Sequence, residues 1–181
     1  RDRLRSRGLG DVYKRQTSPR VRLWISSMNL KIWRKKVLKM PFDASRIRPL
    51  AVALVRRADG AVLAVKCYDK VKREYFYRAL GGGIEFGERA EQALRREFRE
   101  ELGVELAKVR NLGAVENIFT YNGKPGHEIV FVMSAELEDK NIYAQDAVPF
   151  IEKNARAPYA EWVEISPQTR IYPEQIKDFI F

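Results

Sequence analysis

The sequence contains a single cysteine, Cys67, among its 181 residues. One thiol cannot form an intrachain disulfide, so a disulfide-stabilised fold is excluded and a reducing cytoplasm is the compartment we expect. Cys67 stands in the apolar run "AVLAVKCYD", which is typical of a strand. We therefore interpret this cysteine as a packing residue and not as a nucleophile.

The sequence also lacks internal repeats, and its first part lacks the features of a targeting or membrane segment. Residues 17–39 contain no acidic residue, no glycine and no small-residue cleavage site, so they do not fit a signal peptide. They carry too many basic residues to cross a bilayer. We therefore expect no membrane partner.

Acidic residues are scarce only at the start of the chain. Residues 1–39 hold 13 Lys and Arg against 2 Asp and Glu, whereas residues 40–181 hold 21 against 22. A formal net charge of +10 would favour nucleic acid or an anionic membrane as a partner. Because the rest of the chain is near neutral, we expect no nucleic-acid partner.

The basic segment itself is unusual. Residues 6–16, "SRGLGDVYKRQ", resemble the translation of a transposase-type sequencing adapter. We interpret residues 1–39 as a non-native or disordered basic leader and residues 40–181 as one domain, with Met40 as the candidate start. The alternative is a genuine basic arm, a kind of segment that binds nucleic acid or membranes.

The stretch "RREFREELG", residues 95–103, has the pattern of a helix with clustered acidic residues. Glu97, Glu100 and Glu101 fall at i, i+3 and i+4 and project from one side of a helix. An ordinary solvated face is the simplest interpretation. However, Glu97 with Glu101 is a like-charge pair, which costs about 0.2–0.5 kcal/mol in an isolated helix. Converging carboxylates are suited to a hard divalent cation such as Mg²⁺.

A glycine-rich run precedes this helix and makes the spacing specific. "ALGGGIEFGE" places Gly81, Gly82 and Gly87 where backbone can approach a ligand closely. Counted from Gly82, five residues precede Glu88, seven more precede the Arg96-Glu97 pair, and the pattern ends with the Gly103-Val104 pair.

These residues together resemble the 23-residue Nudix box, from Gly82 to Val104. The resemblance implies an α/β fold, an α/β/α sandwich around a mixed β-sheet. It implies a hydrolase that cleaves the diphosphate of a nucleoside diphosphate linked to another group, with Mg²⁺ as cofactor and Mn²⁺ as the alternative ion. The implied metal ligands are the carbonyl of Gly81 and the carboxylates of Glu97, Glu100 and Glu101. Gly82, Glu88 and Gly103 would shape the loops, and Arg96 would brace Glu88 in the catalytic centre.

Strand, turn and helix patterns fill the rest of the domain. We predict paired strands at 47–57 and 61–68 joined by the turn 58–60, a strand at 73–80, a helix at 89–102 ended by Gly103, strands at 104–121 and 127–137 joined by the turn 122–126, a loop beside the active site at 139–158, a strand at 160–165, and a terminal helix at 172–181 with Pro173 at its first position.

The mechanism requires a general base for the attacking water, and the sequence does not rank the candidates. They are Glu97, Glu152 and Glu128, and Glu128 is also a candidate for binding substrate. His127, the only histidine, would contact a phosphate or, more commonly for this residue type, form an ordinary hydrogen bond. Arg78 would contact a phosphate bidentately or lie on the surface.

The sequence does not identify the substrate. Because alternate strand residues face opposite sides, one aromatic of "REYFYRAL" and one of "ENIFTY" should be able to stack on a base, and Tyr77 and Tyr121 are the candidates. We expect a small nucleotide as the partner. Dinucleoside polyphosphates and modified nucleoside triphosphates are alternative substrates, and family resemblance allows a homodimer.

A non-catalytic Nudix-fold nucleotide-binding module would usually lack box glutamates, all of which are present. An isopentenyl-type isomerase would need a cysteine in another context than that of Cys67.

Overall fold

A computed structural model of the protein describes residues 46–150 and 159–181. The leader predicted at residues 1–39 and the candidate base Glu152 lie outside these described residues. The elements are β1 Ile47–Val55, β2 Val62–Asp69, β3 Glu74–Gly83, α1 Ala90–Glu101, β4 Leu106–Tyr121, β5 Lys124–Leu137, a 3₁₀ helix Lys140–Ala144, β6 Ala147–Pro149, β7 Tyr159–Val163, β8 Ile171–Tyr172 and a 3₁₀ helix Glu174–Phe179.

The strands form one mixed sheet in the order β4-β5-β1-β3-β2-β7-β6, with β8 beside β3. β1 is parallel to β5 and β8 is parallel to β3, whereas the other pairs are antiparallel. The predicted pairing of β1 with β2 is wrong, since only an isolated bridge between Arg56 and Val62 joins them. Residues 51–55 of β1 are buried throughout, so this strand takes a central place with β3 and β5 on its two edges.

The predicted helix is present as α1, and its bounds agree with the prediction to within one residue at each end. Arg89 is the N-cap and Leu102 is the C-cap. Gly103 follows with a φ of 71°, and its N–H donates to the carbonyl of Arg99. A glycine takes this left-handed conformation at little cost, which explains where the helix ends.

One face of the sheet is covered by α1. Leu94 and Phe98 of the helix are fully buried there, in a cluster that includes Ala51, Ala53 and Leu80. The opposite face holds a second cluster, which includes Val52, Val130 and Ile176. Alternate residues of each strand therefore face either α1 or the second cluster.

The terminal segment is helical but forms a 3₁₀ helix, Glu174–Phe179, with Pro173 at the N-cap and not at the first helical position. Its bonds span three residues, as from the N–H of Ile176 to the carbonyl of Pro173. Six residues are too few to offset the cost of nucleating an α-helix, so the tighter turn is the usual outcome. This helix covers the face opposite α1 and completes the α/β sandwich.

Three predicted loops are partly regular. The glycines 81–83 extend β3, and residues 124–126 belong to β5. Within 139–158, the described part contains a 3₁₀ helix and β6. Among the described residues, no helix combines the length and apolar character needed to cross a membrane.

Candidate active site

The glycines at the end of β3 allow very close contacts. An added Cβ at Gly82 would lie 2.7 Å from Oε1 of Glu97, and one at Gly81 would lie 2.8 Å from the Cα of Val52. Gly81 also has a φ of 141°, a conformation that other residues rarely adopt. The first glycine of the box, Gly82, therefore lets the Glu97 carboxylate pack directly against strand β3.

Arg96 connects the loop after β3 to α1. Its guanidinium donates to both carboxylate oxygens of Glu88, each at 2.9 Å, and to the carbonyl of Gly83 at 2.9 Å. Glu88 also accepts the N–H of Glu85 at 3.1 Å. Hydrogen bonding to Arg96 lowers the pKa of Glu88, and the same contact raises the pKa of Arg96. The loop that precedes α1 is thus held by a bidentate ion pair.

The three box glutamates differ in exposure, and two of them, Glu97 and Glu100, contact one guanidinium. Glu97 is 2% exposed and Glu101 is 3% exposed. Nη1 of Arg96 lies 2.6 Å from Oε1 of Glu97 and 3.8 Å from Oε2 of Glu100. Within residues 46–150 and 159–181, no three His, Cys, Asp or Glu side chains converge as they would around a bound ion.

The donor chemistry nevertheless fits a divalent cation. The guanidinium of Arg96 faces the carboxylates of Glu88, Glu97 and Glu100, so carboxylate oxygens are concentrated around this side chain. Carboxylate and carbonyl oxygens are the ligands that Mg²⁺ and Mn²⁺ accept.

Glu128 does not join this group. It is 7% exposed, its carboxylate contacts the guanidinium of Arg48, and it accepts the side-chain amide of Asn117 at 3.2 Å. These residues are paired across β4, β5 and β1. On β5, Glu128 shares a face with Val130, which packs in the second cluster. Glu128 therefore lies on the face opposite α1.

His127 is hydrogen-bonded at the edge of the sheet. Its Nε2 lies 2.9 Å from Oε1 of Glu116 on β4, and both side chains are partly exposed. The structure thus gives His127 a surface carboxylate as partner and does not bring it to the glutamates of α1.

An aromatic cluster lies on the α1 face of β3. The ring of Phe76 meets Tyr121 of β4 at 5.7 Å between centroids and Tyr172 of β8 at 5.3 Å, both edge to face. Burial raises the pKa of the Tyr121 phenol, and the positive charge of Arg78 opposes that rise. Arg78 therefore lies near Tyr121.

Tyr77 points away from this cluster. It packs against the second hydrophobic cluster, and its ring centroid lies 5.8 Å from Nζ of Lys66. On β3, the ring of Tyr121 thus meets the side that carries Phe76, whereas Tyr77 points to the other side. The alternation expected for β3 is present, with Phe76 on one side and Tyr77 on the other.

Sequence reasoning did not distinguish Phe76 from its aromatic neighbours, and it missed Tyr172, Asp69 and Asn122. Tyr172 joins the cluster only through the parallel pairing of β8 with β3. Asp69 and Asn122 belong to two turns that touch each other. The "NG" pair at 122–123 is a visible turn signal, but no local pattern indicates which other turn it contacts.

Comparison with known proteins identifies the family to which this site belongs. A family model described as "NUDIX domain" matches residues 46–167. Because the match covers more than half of the chain, the protein belongs to the Nudix family.

Curated relatives match shorter stretches. The chain is 32% identical over 114 residues to the NAD-capped RNA hydrolase NudC of Pseudomonas aeruginosa, covering 58% of this chain and 38% of that protein. It is 47% identical over 64 residues to the nucleoside triphosphatase NudI of Escherichia coli, covering 34% of this chain and 43% of that protein. The chain therefore spans less than half the length of either relative.

Solved structures share the fold. The MutT NUDIX hydrolase from Burkholderia pseudomallei superposes with a TM-score of 0.54 at 23% identity, over 72% of this chain and 95% of that one. The MutT protein from Bacillus halodurans gives a TM-score of 0.52 at 18% identity, over 75% and 81%. At these identities the likeness establishes the α/β Nudix fold and nothing further.

Proposed function

We propose that this protein is a divalent-metal-dependent hydrolase that cleaves the diphosphate linkage of nucleoside diphosphate derivatives. The observation that carries the proposal is the grouping of Glu97, Glu100 and Glu101 on one side of α1, with Arg96 contacting the first two. A face built for stability would interleave the signs more evenly. The proposed metal ligands are these three carboxylates and the Gly81 carbonyl, with Mg²⁺ as the ion and Mn²⁺ as its substitute.

A bound divalent ion would neutralise phosphate charge and lower the pKa of a coordinated water. The protein's own contribution is to keep the carboxylates in place. Gly82 makes room for Glu97, and the Arg96 to Glu88 pair fixes the loop beside it. Arg96 also forms an ion pair with Glu97 at 2.6 Å, so this carboxylate is held in place before substrate arrives.

The general base must reach the attacking water. Glu128 is the weakest candidate, because it is ion-paired with Arg48 on the face opposite α1. We therefore propose that the base is Glu97 or Glu152. Separate Glu97→Gln and Glu152→Gln variants distinguish them, since loss of the base flattens the acid limb of the pH profile of kcat.

The nucleoside part would bind along the α1 face of β3. Phe76, Arg78 and Gly82 are separated by two and four residues on that strand and so share one side of it. An aromatic surface, a cation and the proposed metal site would therefore follow each other there. Tyr121 and Tyr172 border the same cluster. A base would stack there, and Arg78 would approach a phosphate.

The relatives support the substrate class and do not narrow it. One is named for hydrolysis of NAD-capped RNA and the other for nucleoside triphosphates. We infer a nucleotide with a phosphoanhydride bond, and dinucleoside polyphosphates and modified nucleoside triphosphates belong in the test. A cytoplasmic location and a homodimer stay predictions.

The experiment is hydrolysis of a panel that contains nucleotide sugars, dinucleoside polyphosphates, nucleoside triphosphates, inorganic pyrophosphate and isopentenyl diphosphate. We expect turnover of at least one nucleotide that requires Mg²⁺ and stops with EDTA. A protein that binds nucleotides but hydrolyses none would instead be a non-catalytic binding module.

A further inference from the structure

Asp69 ends β2 as a buried carboxylate that binds backbone. It is 2% exposed. Its Oδ1 accepts the N–H groups of Val71 and Lys72 at 2.8 and 2.9 Å, and its Oδ2 accepts the N–H of Asn122 at 3.0 Å. Two of these bonds shape the turn between β2 and β3, whereas the third crosses to the turn between β4 and β5.

The turn between β4 and β5 also binds the turn between β2 and β3 through a second hydrogen bond. Oδ1 of Asn122 accepts the N–H of Lys70 at 2.8 Å. Asn122 has a φ of 50° and Gly123 a φ of 76°, so the tip has the tight left-handed geometry of a two-residue hairpin turn. We call the reciprocal pair of bonds, Asn122 to Asp69 and Lys70 to Asn122, the Asp69–Asn122 latch.

The latch acts on the tip of an edge strand. Among the strands that the structure describes, β4 pairs only with β5. Its last residue, Tyr121, directly precedes Asn122, and the Tyr121 ring lies 5.7 Å from that of Phe76 on β3. Asp69 pairs with Glu74 across the hairpin of β2 and β3. Glu74 precedes Phe76 by two residues on β3. The latch thus joins the two hairpins at the place where their aromatic rings meet.

We propose that Asp69 is a positioning residue for substrate: through Asn122 it holds Tyr121 against Phe76 and thereby sets the arrangement of the aromatic cluster that receives the nucleobase. This inference rests on the proposed function, in which that cluster binds the base. Asp69 itself touches no substrate. Its effect is expected on nucleotide affinity and not on the chemical step.

The chain offers a matched control in Asp59. Asp59 also uses Oδ1 to accept a backbone N–H two residues later, that of Ala61, at 3.0 Å. Its other oxygen binds the guanidinium of Arg57 two residues earlier, at 2.6 Å, so all these contacts are local to the turn after β1. Asp59→Asn therefore weakens a turn without moving Tyr121.

The experiment compares wild type, Asp69→Asn and Asp59→Asn by three measurements. These are the Kd for a nucleoside monophosphate in EDTA, kcat and KM for the best nucleotide of the panel, and hydrogen exchange of the 121–124 segment. For Asp69→Asn we expect Kd and KM to rise at least about fivefold, since only part of a stacking contact is lost. We expect kcat to change by less than about twofold, as for loss of binding shared by ground and transition states, and exchange of 121–124 to become faster.

The same measurements on the control decide the outcome. Equal rises in Kd for both variants would show a general loss of stability and would overturn the positioning role. Unchanged exchange at 121–124 in Asp69→Asn would overturn it as well. If exchange rises while wild type itself binds no nucleotide, the latch is supported and the proposed function fails.

A milder substitution tests the same proposal if Asp69→Asn does not fold. Asn122→Gly keeps the left-handed backbone and removes only the acceptor for Lys70. We expect it to shift Kd in the same direction as Asp69→Asn and by a smaller factor. A Kd equal to that of wild type, in a folded Asn122→Gly protein with faster exchange, would contradict the link between the latch and the base.

Discussion

The carboxylate of Glu97 lies directly against Gly82, so close that a β-carbon on Gly82 would be 2.7 Å from Oε1. The first glycine of the box and its first glutamate are fifteen residues apart in the chain and in contact in the fold. The spacing between them therefore allows the Glu97 side chain to pack against β3 and also sets its position for the proposed chemistry.

Gly82→Ala is expected to displace the Glu97 side chain, because the clash is with a movable carboxyl group and not with backbone. We predict that kcat falls by at least about tenfold, or roughly 1.4 kcal/mol, with a small loss of melting temperature. Gly83→Ala is the control, since nothing lies within 4 Å of an added Cβ there. Equal activity in the two variants would show that the position of Glu97 is not important for turnover.

Glu100→Gln and Glu101→Gln remove charge from the proposed ligand set. We predict that each lowers kcat by at least about 100-fold, or roughly 2.7 kcal/mol, while apo stability stays unchanged or rises slightly because like-charge repulsion is relieved. Glu91→Gln, an exposed residue of the same helix paired with Arg95, should retain activity. Unfolding of the box variants with normal specific activity would instead indicate a salt-bridge role.

Arg96→Lys keeps the positive charge but cannot reproduce the bidentate contact with Glu88. We expect a loss of about 2 kcal/mol in the free energy of unfolding, because the pair is largely buried. Arg99→Lys changes a more exposed bidentate pair, with Glu105, and should cost less than about 1 kcal/mol. Urea denaturation of both variants measures the difference, and similar losses would refute a special role for Arg96.

Tyr121→Ala should raise KM for the best nucleotide by a factor that corresponds to about 1–3 kcal/mol of lost stacking. Tyr77→Ala is the control, because Tyr77 points to the side of β3 away from Phe76, and we expect the KM of this variant to stay within about twofold of wild type. The reverse result would place the nucleobase on the face away from α1.

Acid should weaken the Asp69–Asn122 latch. Burial alone would raise the pKa of Asp69, but the N–H groups of Lys72, Asn122 and Val71 outweigh burial and lower it from its ordinary value of 3.8. A lowered folded pKa means that this carboxylate stabilises the fold above pH 3.8 and that the contribution is lost as the pH falls through the folded value. The stability difference between wild type and Asp69→Asn should therefore shrink below pH 4 in urea titrations. A difference that is constant with pH would contradict this linkage.

Local patterns predicted the elements best. The bounds of α1 follow from apolar spacing and from Gly103, which act within one turn, so sequence suffices to find them. The pairing of β1 with β2 failed because the order of strands is decided by burial on both faces of β1, which only the complete sheet reveals.

The candidate site likewise has features that follow from a local motif and features that depend on the complete sheet. The box predicts the helix positions of the glutamates, and the contact of Glu97 with Gly82 agrees with the spacing. In contrast, the partners of Glu128 and the side of β3 that Tyr77 and Tyr121 contact depend on strand register over long sequence separations. No short motif encodes such register, so the surroundings of these side chains were less predictable than the positions of the glutamates on α1.

The most direct test of the account is the metal dependence of nucleotide hydrolysis, followed by phosphorus NMR on the substrate panel. We predict that the metal-stripped protein is folded and inactive, that Mg²⁺ or Mn²⁺ restores cleavage of a phosphoanhydride bond in at least one nucleotide, and that Glu101→Gln is not restored by the same ion concentration. Cleavage that persists in EDTA, or full restoration of Glu101→Gln, would contradict the assignment of the α1 glutamates as the metal site.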